Sequence, residues 1–277
     1  MNVFASCVVA AVLAQTPAPL SMPTPGRHVK LAGDAELFVP YRFKADPGGD
    51  VEVVLHLHGA PHVVELSLVT LGRPAVLIEF NRKGLSSVYT APFKDPKLLT
   101  RLVDSALREL KSLGITDGRP ERRLVLSAFS AGFGGVREIL KVPENVARID
   151  AVVLADSLYC GYTGDPARRE VDPALMVGFR KFALEAAAGR KAMLVTHSAQ
   201  IPESYASTTE TADDLARSAG LTFQADREDW ADGWTQTRIA KKGRLLIVGF
   251  EGKEAADHME HLRGIGRAWG WTWKLLL

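Results

Sequence analysis

The sequence predicts an α/β domain: a mainly parallel central sheet with helices on both faces. Three observations predict it. Short, β-branched apolar runs recur from Val51 onward. Between them lie longer segments with apolar residues at helical spacing and glycines at their ends. The runs are apolar throughout rather than alternating, as strands are when helices cover both sheet faces.

Taken in order, 28–31 and 36–43 suit an antiparallel edge hairpin turning at Gly33-Asp34. The parallel strands are expected at 51–57, 75–80, 123–128, 151–155, 191–196 and 244–250. Asp95-Pro96 is expected to cap a helix that buries Leu99, Leu102, Val103, Ala106 and Leu110 and stops at Gly114. Asp172-Pro173 opens another, with Phe179 and Phe182 inward and a stop at Gly189. Ser207-Thr-Thr-Glu210 is a capping box that starts a helix ending at Gly220. Residues 221–240, with Trp230 and Trp234 among acids and amides, read as a loop excursion or an extra hairpin.

At 277 residues and 47% hydrophobic content, the chain can bury a full core without disulfides or a structural metal. Its 34 basic and 32 acidic residues are interspersed, with a net charge of +2. Nothing in that balance suggests a polyanion, and no nucleic-acid partner is expected. Residues 1–26 carry no charged side chain. The run Val3–Ala14 is too short to span a bilayer and has small residues suited to signal-peptidase cleavage. The expected layout is a signal peptide at 1–14, a proline-rich leader at 15–26, and one domain at 27–277. Such a protein is exported, secreted or periplasmic, and keeps no stable membrane insertion. Cys7 leaves with the signal, so Cys160 stands alone and no intrachain disulfide forms.

Ala128-Phe129-Ser130-Ala131-Gly132 is G-x-S-x-G with alanine in place of the first glycine. It follows a buried strand run and precedes a helical one, the context in which a sharp turn lifts a serine hydroxyl to its tip. Serine needs a base and oxyanion donors to act as a nucleophile. His58-Gly59-Ala60 is the turn leaving the first long strand, and its N–H groups, at Gly59 or Ala60, can aim at an oxyanion beside that of Ala131. The base is expected after the last strand, at His258; His261, one turn on, reads as a helix-surface residue. Asp156 ends a buried strand on the edge that carries Ser130 and suits the acid that orients an imidazole. Glu203, which follows the next strand behind Pro202, is the alternative acid.

With these residues in hand, the chain resembles the α/β-hydrolase superfamily from about Val51 onward, in the order Ser130, Asp156, His258. The resemblance implies an esterase- or lipase-like serine hydrolase that forms an acyl-enzyme on small-molecule esters and needs no cofactor. The sequence departs from the pattern after the penultimate strand, where Thr196-His-Ser-Ala-Gln200 holds no carboxylate. His197 is then expected to be a hydrogen-bonded wall residue of the pocket.

Two rival readings are weaker. His56-Leu-His58-Gly-Ala-Pro-His62 invites a metallohydrolase, because histidines two apart on a strand face the same way. Yet no aspartate accompanies them and no second His/Asp cluster follows. A non-catalytic envelope or binding protein on a hydrolase scaffold is the other. Residues 81–89 are expected to line the pocket mouth with Tyr159, Tyr162 and Tyr205, while Trp230 and Trp234 are either a stacking platform or ordinary packing.

Overall fold

Apolar runs bounded by turn residues become, among the described residues, a ten-stranded sheet whose strands lie in the spatial order 26–30, 35–40, 75–80, 52–57, 123–129, 151–155, 192–197, 245–250, 234–242 and 224–231. The computed structural model describes residues 24–45, 49–231 and 233–277. The expected signal peptide lies outside the described residues, as does the leader up to residue 23.

β1 (Gly26–Lys30) and β2 (Ala35–Pro40) form the edge hairpin, which turns through positive φ at Gly33 and Asp34. β3 (Glu52–Leu57), α1 (Pro61–Leu71) and β4 (Ala75–Phe80) follow. Two helices then precede the next strand: the short α2 (Ser87–Phe93), for which the sequence gives no expectation, and the fifteen-residue α3 (Leu98–Ser112). Asp95 does not cap α3. Lys97 occupies the N-cap position, and the Asp95 carboxylate accepts its N–H one turn ahead of the helix.

β5 (Arg123–Phe129) leads through one turn of 3₁₀ helix into α4 (Phe133–Ile139), followed by α5 (Pro143–Arg148) and β6 (Ala151–Ala155). α6 (Pro173–Ala187) is capped by Asp172 as expected, and β7 (Ala192–His197) leads to α7 (Thr208–Ser218), whose Ser207/Glu210 capping box is complete. Residues 221–240 resolve as a hairpin. β8 (Gln224–Ala231) and β9 (Trp234–Lys242) extend the sheet antiparallel to β10 (Leu245–Phe250). α8 (Ala255–Arg263) and α9 (Ile265–Leu276) close the chain.

β3 to β7 and β10 run parallel. Because successive strand residues point to opposite faces, Leu124 and Leu126 pack in one core with α3, α6 and α7, while Val125 joins a second with α1, α8 and α9. Trp230 and Trp234 belong to this second core. Trp230 stacks on Trp271 at 5.3 Å and Trp234 on Phe250 at 4.3 Å, so the packing reading holds and neither indole is a platform. The turns after β3, β4, β5, β6, β7 and β10 all gather at the carboxyl edge of the parallel strands, where open α/β sheets bind ligands. No helix among the described residues is long and apolar enough to cross a membrane.

Candidate active site

The turn after β5 is tight because two backbones meet there. A Cβ on Gly132 would lie 2.3 Å from the Leu57 carbonyl oxygen of β3, so only glycine lets the turn press against that strand. Ser130 takes up the bend at φ 46°, in the left-handed region that a non-glycine residue enters at a cost of about 1–3 kcal/mol. Asp156, one strand over, sits at φ 44°, and His58, at the end of β3, at φ 67°. Three of the five described non-glycine residues with positive φ thus lie on neighbouring strand ends. Strain concentrated this way marks a site whose side chains must point along the edge rather than into the sheet.

Ser130, Ala131 and His258 line one cleft of about 570 Å³, together with Leu85, Ser86, Phe133, Arg137, Tyr159, Cys160, Gly161, Gln200 and Tyr205. His258 lies in the first turn of α8, below a Glu254/Asp257 capping box that fixes the entry of that helix. Its ring stacks on Phe129 at 4.6 Å, and its Nδ1 lies 2.7 Å from Asp156 Oδ2. Phe129 is therefore the plate against which the imidazole is set, and its ring also lies nearly parallel to that of His58 at 6.0 Å. Among the described residues, no hydrogen bond joins Ser130 to His258. Such bonds often close only with substrate in place.

Asp156 is fully buried and its carboxylate is satisfied on both oxygens. Oδ1 accepts the Ser198 N–H at 2.9 Å and the Thr208 hydroxyl, while Oδ2 faces His258. Burial opposes the charged form, but the neighbouring histidines His261 and His258 and the hydrogen bonds from His258 and Thr208 outweigh it. The carboxyl is held well below the ordinary range, an anion at any working pH. Glu203 is exposed, and among the described residues no hydrogen bond or ion pair joins it to His258. Of the two acids the sequence left open, the geometry brings Asp156 to His258.

His261 corrects the sequence reading. It is 1% exposed, wedged edge-on against Trp234 and Phe250, with Nδ1 2.7 Å from Thr196 Oγ1. Burial lowers its pKa to about 4, so it is neutral near pH 7. The hairpin supplies the indole that covers it, a non-local contact that helix periodicity cannot register. His197 is hydrogen-bonded as expected, with Nδ1 near Ser198 O and Thr209 Oγ1 and Nε2 accepting from Arg238, but it is buried and does not line the cleft. Burial, with the Arg238 charge beside it, lowers its pKa to about 3.

Ala131 lines the cleft, whereas Gly59 and Ala60 form the turn from β3 into α1 and do not line it. Asn81 Nδ2 holds the Gly59 carbonyl at 2.6 Å and so fixes that turn. Of the aromatic mouth, Tyr159 and Tyr205 line the cleft. Tyr162 instead turns its hydroxyl to Glu210, and Tyr89 is buried, its hydroxyl 2.8 Å from His58 Nδ1.

The histidines of the metal reading do not converge. The bend at His58 sends its ring to Tyr89, while His56 contacts Ser127 Oγ at 2.9 Å through Nδ1 and the His58 carbonyl at 2.8 Å through Nε2. Burial lowers the His56 pKa to about 3. His58 is also lowered, by burial and then by its neighbour His258. His62 is exposed, and no group of three or more potential ligands stands together among the described residues.

Thr208, Ser198 and Phe129 were not singled out from sequence. Thr208 had a legible signal, since the first residue of a capped helix entering after β7 points at the edge that carries Asp156.

No protein-family model and no curated protein matches the chain. Among solved structures it is similar to carboxyl esterase 2 from the mycorrhizal fungus Tuber melanosporum, at 14% identity over 93% of this chain and 89% of that one, TM-score 0.48. It is also similar to the thermophilic esterase Est2 of Thermogutta terrifontis, at 16% identity, 92% and 90% coverage and TM-score 0.46. A cold-adapted esterase from an Arctic intertidal metagenomic library gives 12% identity, 88% and 91% coverage and TM-score 0.45. These are low similarities in sequence.

Proposed function

We propose that this protein is an exported serine hydrolase that cleaves carboxylic esters through an acyl-enzyme. One observation carries the reading: a buried, fully hydrogen-bonded Asp156 carboxylate grips His258 Nδ1 beside the cleft that Ser130 enters from a strained turn. Asp156 fixes the imidazole with its proton on Nδ1, which leaves Nε2 unprotonated and able to accept one. Ser130 Oγ attacks the ester carbonyl as His258 Nε2 takes its proton. The oxyanion is held by the Ala131 N–H, the one of the three expected donors whose residue lines the cleft. The imidazolium then gives its proton to the departing alcohol. Water, deprotonated by the same nitrogen, releases the acid and restores Ser130. Export rests on the uncharged, apolar residues 1–14.

A fluorophosphonate probe tests the chemistry, because it reacts only with an activated serine. The wild-type protein is expected to be labelled at Ser130, located by peptide mass, and Ser130→Ala to remain unlabelled. A folded wild-type protein that takes no label favours the non-catalytic binding protein instead.

A further inference from the structure

Among the described residues, Arg137 is the one permanently charged side chain that lines the cleft, and ester hydrolysis gives it no task. It follows Ser130 by seven positions on the same elbow and helix, a rise of about 10 Å. Side chains on a helix lean toward its N-terminus. The Arg137 guanidinium does so, with Cζ 5.4 Å from the Phe133 ring centroid, within cation–π range. It is thereby drawn back along α4 toward Ser130. The side chain is only 17% exposed, yet among the described residues Nε donates to nothing. The nearby carboxylate of Glu138 is 3.9 Å away and already takes Lys141 Nζ at 2.7 and 2.8 Å. Among the described residues, no carboxylate lines the cleft, whose walls besides Arg137 and His258 are aromatic, aliphatic or neutral polar. A buried Nε–H with no acceptor costs stability unless something else supplies one.

We infer that Arg137 is a specificity residue that binds a carboxylate on the substrate, so that the preferred esters are anionic. This rests on the hydrolase reading of the cleft. Its fork of N–H donors matches a carboxylate in two-point contact, which an ammonium cannot reproduce. The helical rise puts that contact about one to two turns from Ser130, a span of roughly 5–10 Å that a diacid chain of about four to six carbons bridges. The carboxylate can sit on the acyl or the alcohol half of the ester, and the substrates below separate the two.

The test compares kcat/KM for charged and uncharged partners. Hydrogen glutarate and butyrate p-nitrophenyl esters place the charge on the acyl half. The butyrate esters of 4-hydroxybenzoate and of phenol place it on the alcohol. The wild-type protein is expected to prefer the anion in one pair by about ten- to hundredfold, the effect of a charge-assisted pair shielded from water. R137Q should bring that ratio near one, and R137K should retain part of it. Thermal unfolding checks that R137Q keeps its fold. No anion preference in either pair, or a preference that survives R137Q, overturns the inference.

Calorimetric binding of monomethyl glutarate against methyl butyrate gives a second readout that needs no turnover. Tenfold tighter binding of the anion, lost in R137Q, supports the site, and equal or absent binding overturns it. Labelling at Ser130 without anion preference would leave the hydrolase and remove the anion site. Anion binding without labelling would do the reverse.

Discussion

Replacing Asp156 by Asn isolates what the buried carboxylate does, because the surroundings dictate how the amide must sit. Oδ1 now accepts two donors, the Ser198 N–H at 2.9 Å and the Thr208 hydroxyl. An amide nitrogen placed there would face two N–H and O–H groups, so the Asn oxygen must take that position. Its NH₂ then points at His258 Nδ1, now 2.7 Å from Oδ2. That donor forces Nδ1 to accept and moves the imidazole proton to Nε2, the nitrogen that should receive the serine proton. The base is occupied, and the charge that would stabilise the imidazolium has gone. Asparagine tolerates the left-handed backbone as aspartate does, so the φ of 44° at this position is no obstacle to folding.

The expected loss in kcat/KM on p-nitrophenyl butyrate is about 10³–10⁴-fold, the scale of a tautomer lock in a serine triad. Thr208→Val should cost about tenfold or less, since it removes one of the two donors at Oδ1 and leaves the charge. Circular dichroism and thermal unfolding of both variants separate chemistry from folding. A folded Asp156→Asn within tenfold of the wild-type rate would refute the reasoning, since no tautomer argument survives it.

The other predictions concern packing and proton balance. Gly132→Ala would put a methyl 2.3 Å from the Leu57 carbonyl, so one backbone must move. We expect a loss of about 1–3 kcal/mol, seen as a Tm lowered by several degrees, with a fall in activity as Ser130 shifts. A wild-type Tm would show that β3 does not confine the turn. Glu79 carries a raised pKa, pushed up to about 8 by burial and by its neighbours Glu65 and Glu36. The folded protein therefore keeps a proton that the unfolded chain releases above about 4.5, the ordinary value. This contribution is present below pH 4.5 and fades as pH rises through about 8, at most about 1.4 kcal/mol per pH unit. Glu79→Gln should flatten that decline, gaining on the wild-type protein in urea midpoints measured from pH 5 to pH 9. Parallel midpoint curves would mean that Glu79 does not hold the proton.

The parallel strands were legible because each buries both faces, and burial on both sides leaves one solution for a short apolar run. Ala75–Phe80 and Ala151–Ala155 fall where the sequence puts them, and the others differ by a residue at one end or, for β7, at both. β8 was hard to read for the opposite reason. It is an edge strand whose residues are exposed apart from Trp230, so its polar composition looks the same as a loop. α2 and α5, at seven and six residues, are too short to establish a helical period.

The site divides along the same line. Ser130 announces itself through a local motif, because a tight strand-to-helix turn constrains the residues on both sides of it. Asp156 and His258 could be placed at strand ends but not joined, since 102 positions separate them and only the register of β6, β7 and β10 brings their turns together. What selects Asp156 over Glu203 is a set of donors, Ser198 after β7 and Thr208 at the start of α7, that a sequence shows only as unremarkable serines and threonines. Those donors make a buried negative charge tolerable, and without them a carboxyl so deep would hold its proton and could not orient an imidazole. The acid is therefore specified less by its own position than by the helix start that supplies its hydrogen bonds. A search for the acid from sequence should look for the cap of the following helix as much as for the carboxylate.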